Sequence, residues 1–169
     1  MNIIIKKMET DGEIRGKGFV HYTSWQQAYR GIVDQGYLDS MSLQKCEEIA
    51  YKWLDNILVA KDGEDVVGFA GYGKYRNDEL TGTGEVYAIY VLQQYWGKGV
   101  GRMLMQAALD MIKEYPSVAV WVLKDNARAI SFYEKFGFRP DGREETLTLG
   151  TPVTEMRMIL KRSAAFLIT

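Results

Sequence analysis

The chain has 169 residues, 47% hydrophobic and 25% charged, which fits a single domain over 1–169 with room for a core. A formal charge of -1 and a pI near 5.9 give no basic footprint, so nucleic acid is not an expected partner. No apolar run approaches a membrane span, the first seven residues lack a secretory core, and one cysteine, Cys46, allows no internal disulfide, so the expected location is cytoplasmic.

Residues 2–6 read as a first strand. A helical pattern follows over 14–32, its start blurred by Gly12, Gly16 and Gly18. Ser42 is placed to cap a second helix reaching about Asn56. Two strands, 57–61 and 65–75, flank the turn Asp62-Gly63-Glu64, and the unbroken run Val66-Val67-Gly68-Phe69-Ala70 predicts a sheet covered on both faces. A fourth strand, 85–91, leads into a glycine-rich loop. In the helix beyond it, Val100, Leu104, Ala108 and Met111 share one face, which predicts packing on a sheet. Residues 118–123 form a short buried strand, Asp125 or Asn126 caps a helix ending at Gly137, and 138–147 with 153–160 close the chain as antiparallel strands. The order is β-α-α-β-β-β-α-β-α-β-β, a mixed α/β domain.

The loop Trp96-Gly97-Lys98-Gly99-Val100-Gly101-Arg102 is the most informative segment. Its glycines let the backbone approach a ligand, and the following helix directs free amides and the positive end of its dipole at one spot. A Walker loop is excluded because Lys98 is followed by Gly99 rather than Ser or Thr. A dinucleotide fingerprint is excluded because the sixth position from Gly97 is Arg102. An anion cradle built on Gly97, Lys98 and Val100 amides and an ordinary tight strand-to-helix turn both remain open from the loop alone.

Three segments together resemble the signatures of the GNAT superfamily of acetyl-CoA-dependent N-acetyltransferases, in order and in spacing. They are Glu85-Val86-Tyr87-Ala88-Ile89-Tyr90-Val91, the loop from Trp96 to Arg102, and Asn126-Ala127-Arg128-Ala129-Ile130-Ser131-Phe132-Tyr133-Glu134-Lys135-Phe136-Gly137-Phe138. The resemblance implies the GNAT-like acyl-CoA N-acyltransferase fold, with acetyl-CoA as cosubstrate. It implies that the main chain of Ile89, Tyr90 and Val91 pairs with the pantetheine arm in a cleft between strands four and five. Trp96, Gly97, Lys98, Gly99, Val100, Gly101 and Arg102 would hold the pyrophosphate, and Asn126 would touch the arm or only cap its helix. One departure stands out, since Trp96 occupies a position where the superfamily usually carries Arg or Gln, so a side-chain donor to phosphate is lost.

An amine must lose a proton before it attacks a thioester. The resemblance makes Glu85 the candidate base, the alternative being a solvated carboxylate at a strand end. A main-chain N–H near Val91 would serve the oxyanion. Tyr133 matches the family's tyrosine acid for the departing thiolate, although it also belongs to an aromatic helix face with Phe132 and Phe136. Cys46, with no histidine near it in sequence, reads as a buried structural residue, which favours direct transfer in a ternary complex. One Cys and one His give no metal ligand set.

For the acceptor, the resemblance points to His21, Trp25, Tyr29 and Tyr37 and to residues 150–154. His21, Trp25 and Tyr29 recur at four-residue spacing, a face that could hold an amine by cation–π contact or simply pack on the sheet. The expected substrate is a primary amine of a small molecule or peptide; the alternative from another class is a non-catalytic acetyl-CoA-binding sensor. The apolar tail 164–168 fits either a homodimer contact or a strand end packed on its own domain.

Overall fold

The computed structural model describes residues 1–163, so the apolar tail 164–168, read as either a dimer contact or a packed strand end, lies outside the described residues. The elements are β1 (Ile3–Lys7), α1 (Asp11–Ala28), α2 (Gln35–Ser40), α3 (Leu43–Lys52), β2 (Ile57–Asp62), β3 (Asp65–Lys74), β4 (Thr83–Val91), α4 (Val100–Met111), β5 (Ser117–Leu123), α5 (Ala127–Lys135), β6 (Arg139–Leu149) and β7 (Thr151–Lys161). A single 3₁₀ turn, Gln93–Tyr95, follows β4.

Helix α1 begins before the apolar pattern does, because Thr10 and Glu13 form a reciprocal capping box that satisfies two orphan amides. It stops at Ala28 rather than at Ile32, since the amides of Ile32 and Val33 both turn back to the Tyr29 carbonyl and Gly31 takes a φ of 82°. Asp34 then caps the short α2, which sequence periodicity does not reveal in six residues. The glycines inside α1 are contact points. A Cβ on Gly18 would lie 2.8 Å from the Glu47 Cα, so α1 and α3 cross with their backbones nearly touching.

All seven strands form one sheet in the order β1-β2-β3-β4-β5-β7-β6, antiparallel everywhere except β4 beside β5. Eight consecutive residues of β3, from Val66 to Gly73, are buried, which requires cover on both faces; α1 and α4 both pack against this strand. The apolar face of α4 is wider than the sequence suggests. Val100, Leu104 and Ala108 are buried as expected, but Met111 is exposed, and Met105, Leu109 and Ile112 complete the face instead.

The parallel pair fixes the site. β4 and β5 are in register only at Thr83, Gly84 and Glu85, opposite Ser117, Val118 and Ala119, after which they part. The parting coincides with a bulge, because Tyr72 pairs with Val86 while Gly71 pairs with Ala88, leaving Tyr87 as an extra residue on β4. A bulge strengthens the local twist, and here it carries the rest of β4 away from β5 while β5 stays paired to β7 along its whole length.

Glu13 anchors the α1 end of this frame. Its carboxylate is 3% exposed and accepts from Lys6 Nζ at 2.8 Å and from the amides of Glu9 and Thr10 at 2.8 and 3.1 Å. Burial alone would raise its pKa, but these donors bring it down to about 2. Since that lies below the ordinary 4.5, the stabilisation is complete above about pH 4.5 and is lost as pH falls toward 2. Glu13→Gln should lower stability by about 1–3 kcal/mol at neutral pH and flatten the fall between about pH 5 and 2; urea titrations that give parallel pH curves for both proteins would contradict this.

Candidate active site

The gap between β4 and β5 opens into a cavity of about 960 Å³. One of its walls is the free edge of β4. The Leu92 amide bonds the Val67 carbonyl at 2.9 Å, so by the alternation of an antiparallel ladder Tyr90 also directs its main chain to β3, while Ile89 and Val91 turn theirs to the gap. Of the three residues expected to pair with an extended arm, Ile89 and Val91 offer main-chain groups and Tyr90 contributes its ring.

At one end of the gap lies the glycine loop. Gly97 and Gly99 have φ of 71° and 84°, conformations that L side chains rarely adopt, and they turn the chain into α4. Val100, Gly101 and Arg102 occupy the first turn of α4, where amides have no carbonyl one turn back. Gly101 lies under α5, since a Cβ there would come 3.3 Å from Phe132 Cε2. The Lys98 amide bends back to the Tyr95 carbonyl, and its ammonium sits 5.7 Å from the Tyr95 ring centre. Neither Lys98 nor the fully buried Val100 side chain lines the cavity.

Trp96 is tied into the loop, its indole Nε1 donating to the Val91 carbonyl at 2.8 Å. Over that indole, 3.3 Å from its centre, lies the guanidinium of Arg128 from the start of α5. The stacking thus places a cation from another helix beside position 96. Asn126 does cap α5, its Oδ1 accepting from the Ala129 amide at 3.2 Å, and it also lines the cavity. Tyr133, about two turns further along the helix, lines the cavity and is 8% exposed. Burial, reinforced by Tyr90, raises its pKa, so the phenol holds its proton.

The other end of the cavity is aromatic. Trp25 and Tyr29 meet edge to face at 4.7 Å, and the hydroxyls of Tyr29 and Tyr90 share a hydrogen bond at 3.1 Å. His21 stands behind this wall, stacked on Tyr90 at 6.4 Å; burial, with Lys17 nearby, pushes its pKa down to about 4, so it is neutral at physiological pH. Tyr37 packs on Trp25 at 6.3 Å without reaching the cavity, and Leu147, Leu149 and Glu155 reach it in place of residues 150–154.

Glu85 is not a solvated strand-end carboxylate. It is fully buried, and its oxygens are engaged by Arg76: Nε donates to Oε1 at 2.9 Å, the main-chain amide donates to Oε2 at 3.1 Å, and Nη2 completes an ion pair. Arg76 lines the cavity and Glu85 does not. Cys46 is buried between α3 and α1, away from the cavity, in keeping with a structural role. Arg76, Trp121, Arg128 and Glu155 escape the motif-based reading. Arg128 lies inside a quoted segment, and only its stacking reveals its use.

The Acetyltransferase (GNAT) family model matches residues 19–138. An uncharacterized N-acetyltransferase of Bacillus subtilis (strain 168), YuaI, is 32% identical over 131 residues, covering 73% of each chain. Among solved structures, a Pyrococcus horikoshii OT3 protein superposes with a TM-score of 0.75 at 26% identity, covering 96% of this chain and 99% of that one. The PaiA N-acetyltransferase of Thermoplasma acidophilum, solved in complex with coenzyme A, gives 0.71 at 23% identity over 95% and 99%. With the family model spanning most of the domain and the parted strands, free amides and tyrosine in one cavity, the chain belongs to the GNAT family of acetyltransferases.

Proposed function

We propose that this acetyltransferase moves the acetyl group of acetyl-CoA to a primary amine by direct transfer, with both substrates in the one cavity. The observation that carries this reading is the coincidence, along a single gap, of an unpaired strand edge, a set of orphan amides at a helix start and a buried tyrosine. The residues fit the cosubstrate on three counts. Orphan amides at α4 suit a diphosphate, the free main-chain groups of Ile89, with the Val91 carbonyl already taken by Trp96, suit an amide-containing arm by strand addition, and the Arg128 guanidinium adds a phosphate donor.

When bound, acetyl-CoA supplies an activated acetyl group as a thioester. Gly97, Gly99 and the first turn of α4 hold its diphosphate, with Arg102 and Arg128 as charged partners. The Val91 amide donates to the oxygen on which negative charge gathers. Tyr133 holds a proton for the sulfur, and its raised pKa keeps that proton in place until thiolate character develops. Glu85 works through Arg76, fixing the guanidinium at the cavity wall, and is a positioning residue. The Trp25, Tyr29 and Tyr90 rings suit an aliphatic amine, held by cation–π attraction and apolar contact.

Tyr133→Phe should reduce kcat by roughly 100-fold or more while leaving the KM for acetyl-CoA within about twofold; a variant with full turnover would remove the acid role. Arg128→Ala, or Trp96→Ala, which takes away its platform, should raise the KM for acetyl-CoA about 5- to 30-fold with little change in kcat. Unchanged KM values in a coenzyme A release assay would show that the stacked pair does not serve the cosubstrate.

A further inference from the structure

Of the described residues that line the cavity, Glu155 is the only one with a carboxylate. It sits on β7 opposite Glu145 of β6, and Leu147 and Leu149 alternate with it on the same pleat face, so the hairpin directs it into the cavity. Glu155 is half-buried, and among the described residues it has no ion-pair partner. Arg76, the cation on that part of the wall, is committed to Glu85. Two further polar atoms lack a partner there, since Ser24 Oγ and Trp25 Nε1 are buried without a hydrogen bond and both residues line the cavity. An unpaired carboxylate beside aromatic rings is a receptor for a cation.

We propose that Glu155 holds the acceptor's ammonium group and receives its proton, which makes the acceptor a cationic primary alkylamine. The inference rests on the acetyl-transfer reading and assigns to Glu155 the role that Glu85, shut behind Arg76, does not reach. The ammonium gives one proton to the Glu155 carboxylate. The lone pair thus freed forms the N–C bond at the acetyl carbon as the C–S bond breaks. Tyr133 passes its hydroxyl proton to the sulfur, and its oxygen takes the second proton from nitrogen. Glu155 then returns the first proton to solvent, so the net release is one proton per turnover.

The groups facing Glu155 are Arg76 from the β3–β4 connection, Glu85 and Tyr90 from β4, Tyr29 from the end of α1 and Glu145 from β6; from β5 it faces uncharged Leu123. Burial raises the Glu155 pKa, Arg76 opposes that rise, and Glu145 and Glu85 add to it. Only the ionised carboxylate accepts a proton, so kcat/KM must climb as pH rises through its pKa.

The test uses n-butylamine as acceptor, with butyrate and 1-butanol as charge controls, on wild-type protein, Glu155→Gln and Glu155→Asp. Binding to the coenzyme A complex is read by tryptophan fluorescence, and turnover by coenzyme A release. Wild type should bind n-butylammonium and exclude butyrate. Glu155→Gln should bind it at least about 10-fold more weakly, lose about 100-fold in kcat/KM at neutral pH and lose the carboxylate limb of the pH profile, with coenzyme A affinity within about twofold. Glu155→Asp should keep the limb at a lower rate. Equal n-butylammonium affinity in wild type and Glu155→Gln, no binding to wild type, or an intact limb in Glu155→Gln would each overturn the proposal. Failure of wild type to bind coenzyme A while Glu155-dependent amine binding persists would instead strike the acetyl-transfer reading and leave the cation site standing.

Discussion

The parting of β4 from β5 is the constraint on which the site depends. A parallel pair that stayed in register would bury the main-chain groups of Ile89 and Val91 in the ladder and close the sheet. Pairing ends after Glu85, where Tyr87 is left over in the ladder with β3. One extra residue thus turns an ordinary central strand into an edge inside the sheet. Edges are normally a liability because their donors and acceptors invite pairing. This one is enclosed by α4, α5 and the β6–β7 hairpin, so what pairs with it must enter through the cavity.

The cavity that results is electrically lopsided. Its loop end carries Arg102 and Arg128 together with the α4 amides, while its far end carries Glu155 and an Arg76 already neutralised by Glu85. An anionic carrier and a cationic acceptor would therefore approach from opposite ends and meet near Tyr90 and Tyr133. The aromatic rings between them give the middle of the cavity an apolar lining, where polar interactions are stronger than in bulk solvent.

Most of the fold was legible in the sequence where burial leaves a periodic or unbroken apolar trace. The β3 run declared a doubly covered strand, and Val100, Leu104 and Ala108 declared the buried side of α4. Helix α2 was not legible, because six residues carry too little periodicity and its existence depends on the Asp34 cap. Met111 misled because an α4 packed across β1, β2, β3 and β4 buries a broad face, and Met105 and Leu109 fall inside it. The splay was beyond sequence reasoning altogether, since a bulge is a fact about the register between two strands, here β3 and β4, and leaves no mark on the residues of either alone.

The site divides in the same way. The backbone turn at the glycine loop could be read from residue types, because glycine spacing reports backbone conformation directly, and Gly97 and Gly99 do take positive φ. Side-chain chemistry could not, as Arg128 is singled out by lying on Trp96 and Glu155 by having no ion-pair partner among the described residues, and both are properties of assembled neighbours. Alternation along β6 and β7 held a faint signal, with a glutamate on the same side as Leu147 and Leu149.

Amide hydrogen exchange, resolved by residue with and without coenzyme A, bears most directly on the free strand edge and the helix start. The amides of Ile89, Val91, Val100, Gly101 and Arg102 should exchange quickly in the free protein and slow together when coenzyme A is added, while Tyr90, already bonded to β3, stays slow throughout. Binding of coenzyme A that leaves those five amides unchanged, or protection of Val91 in the free protein as strong as that of Tyr90, would contradict it.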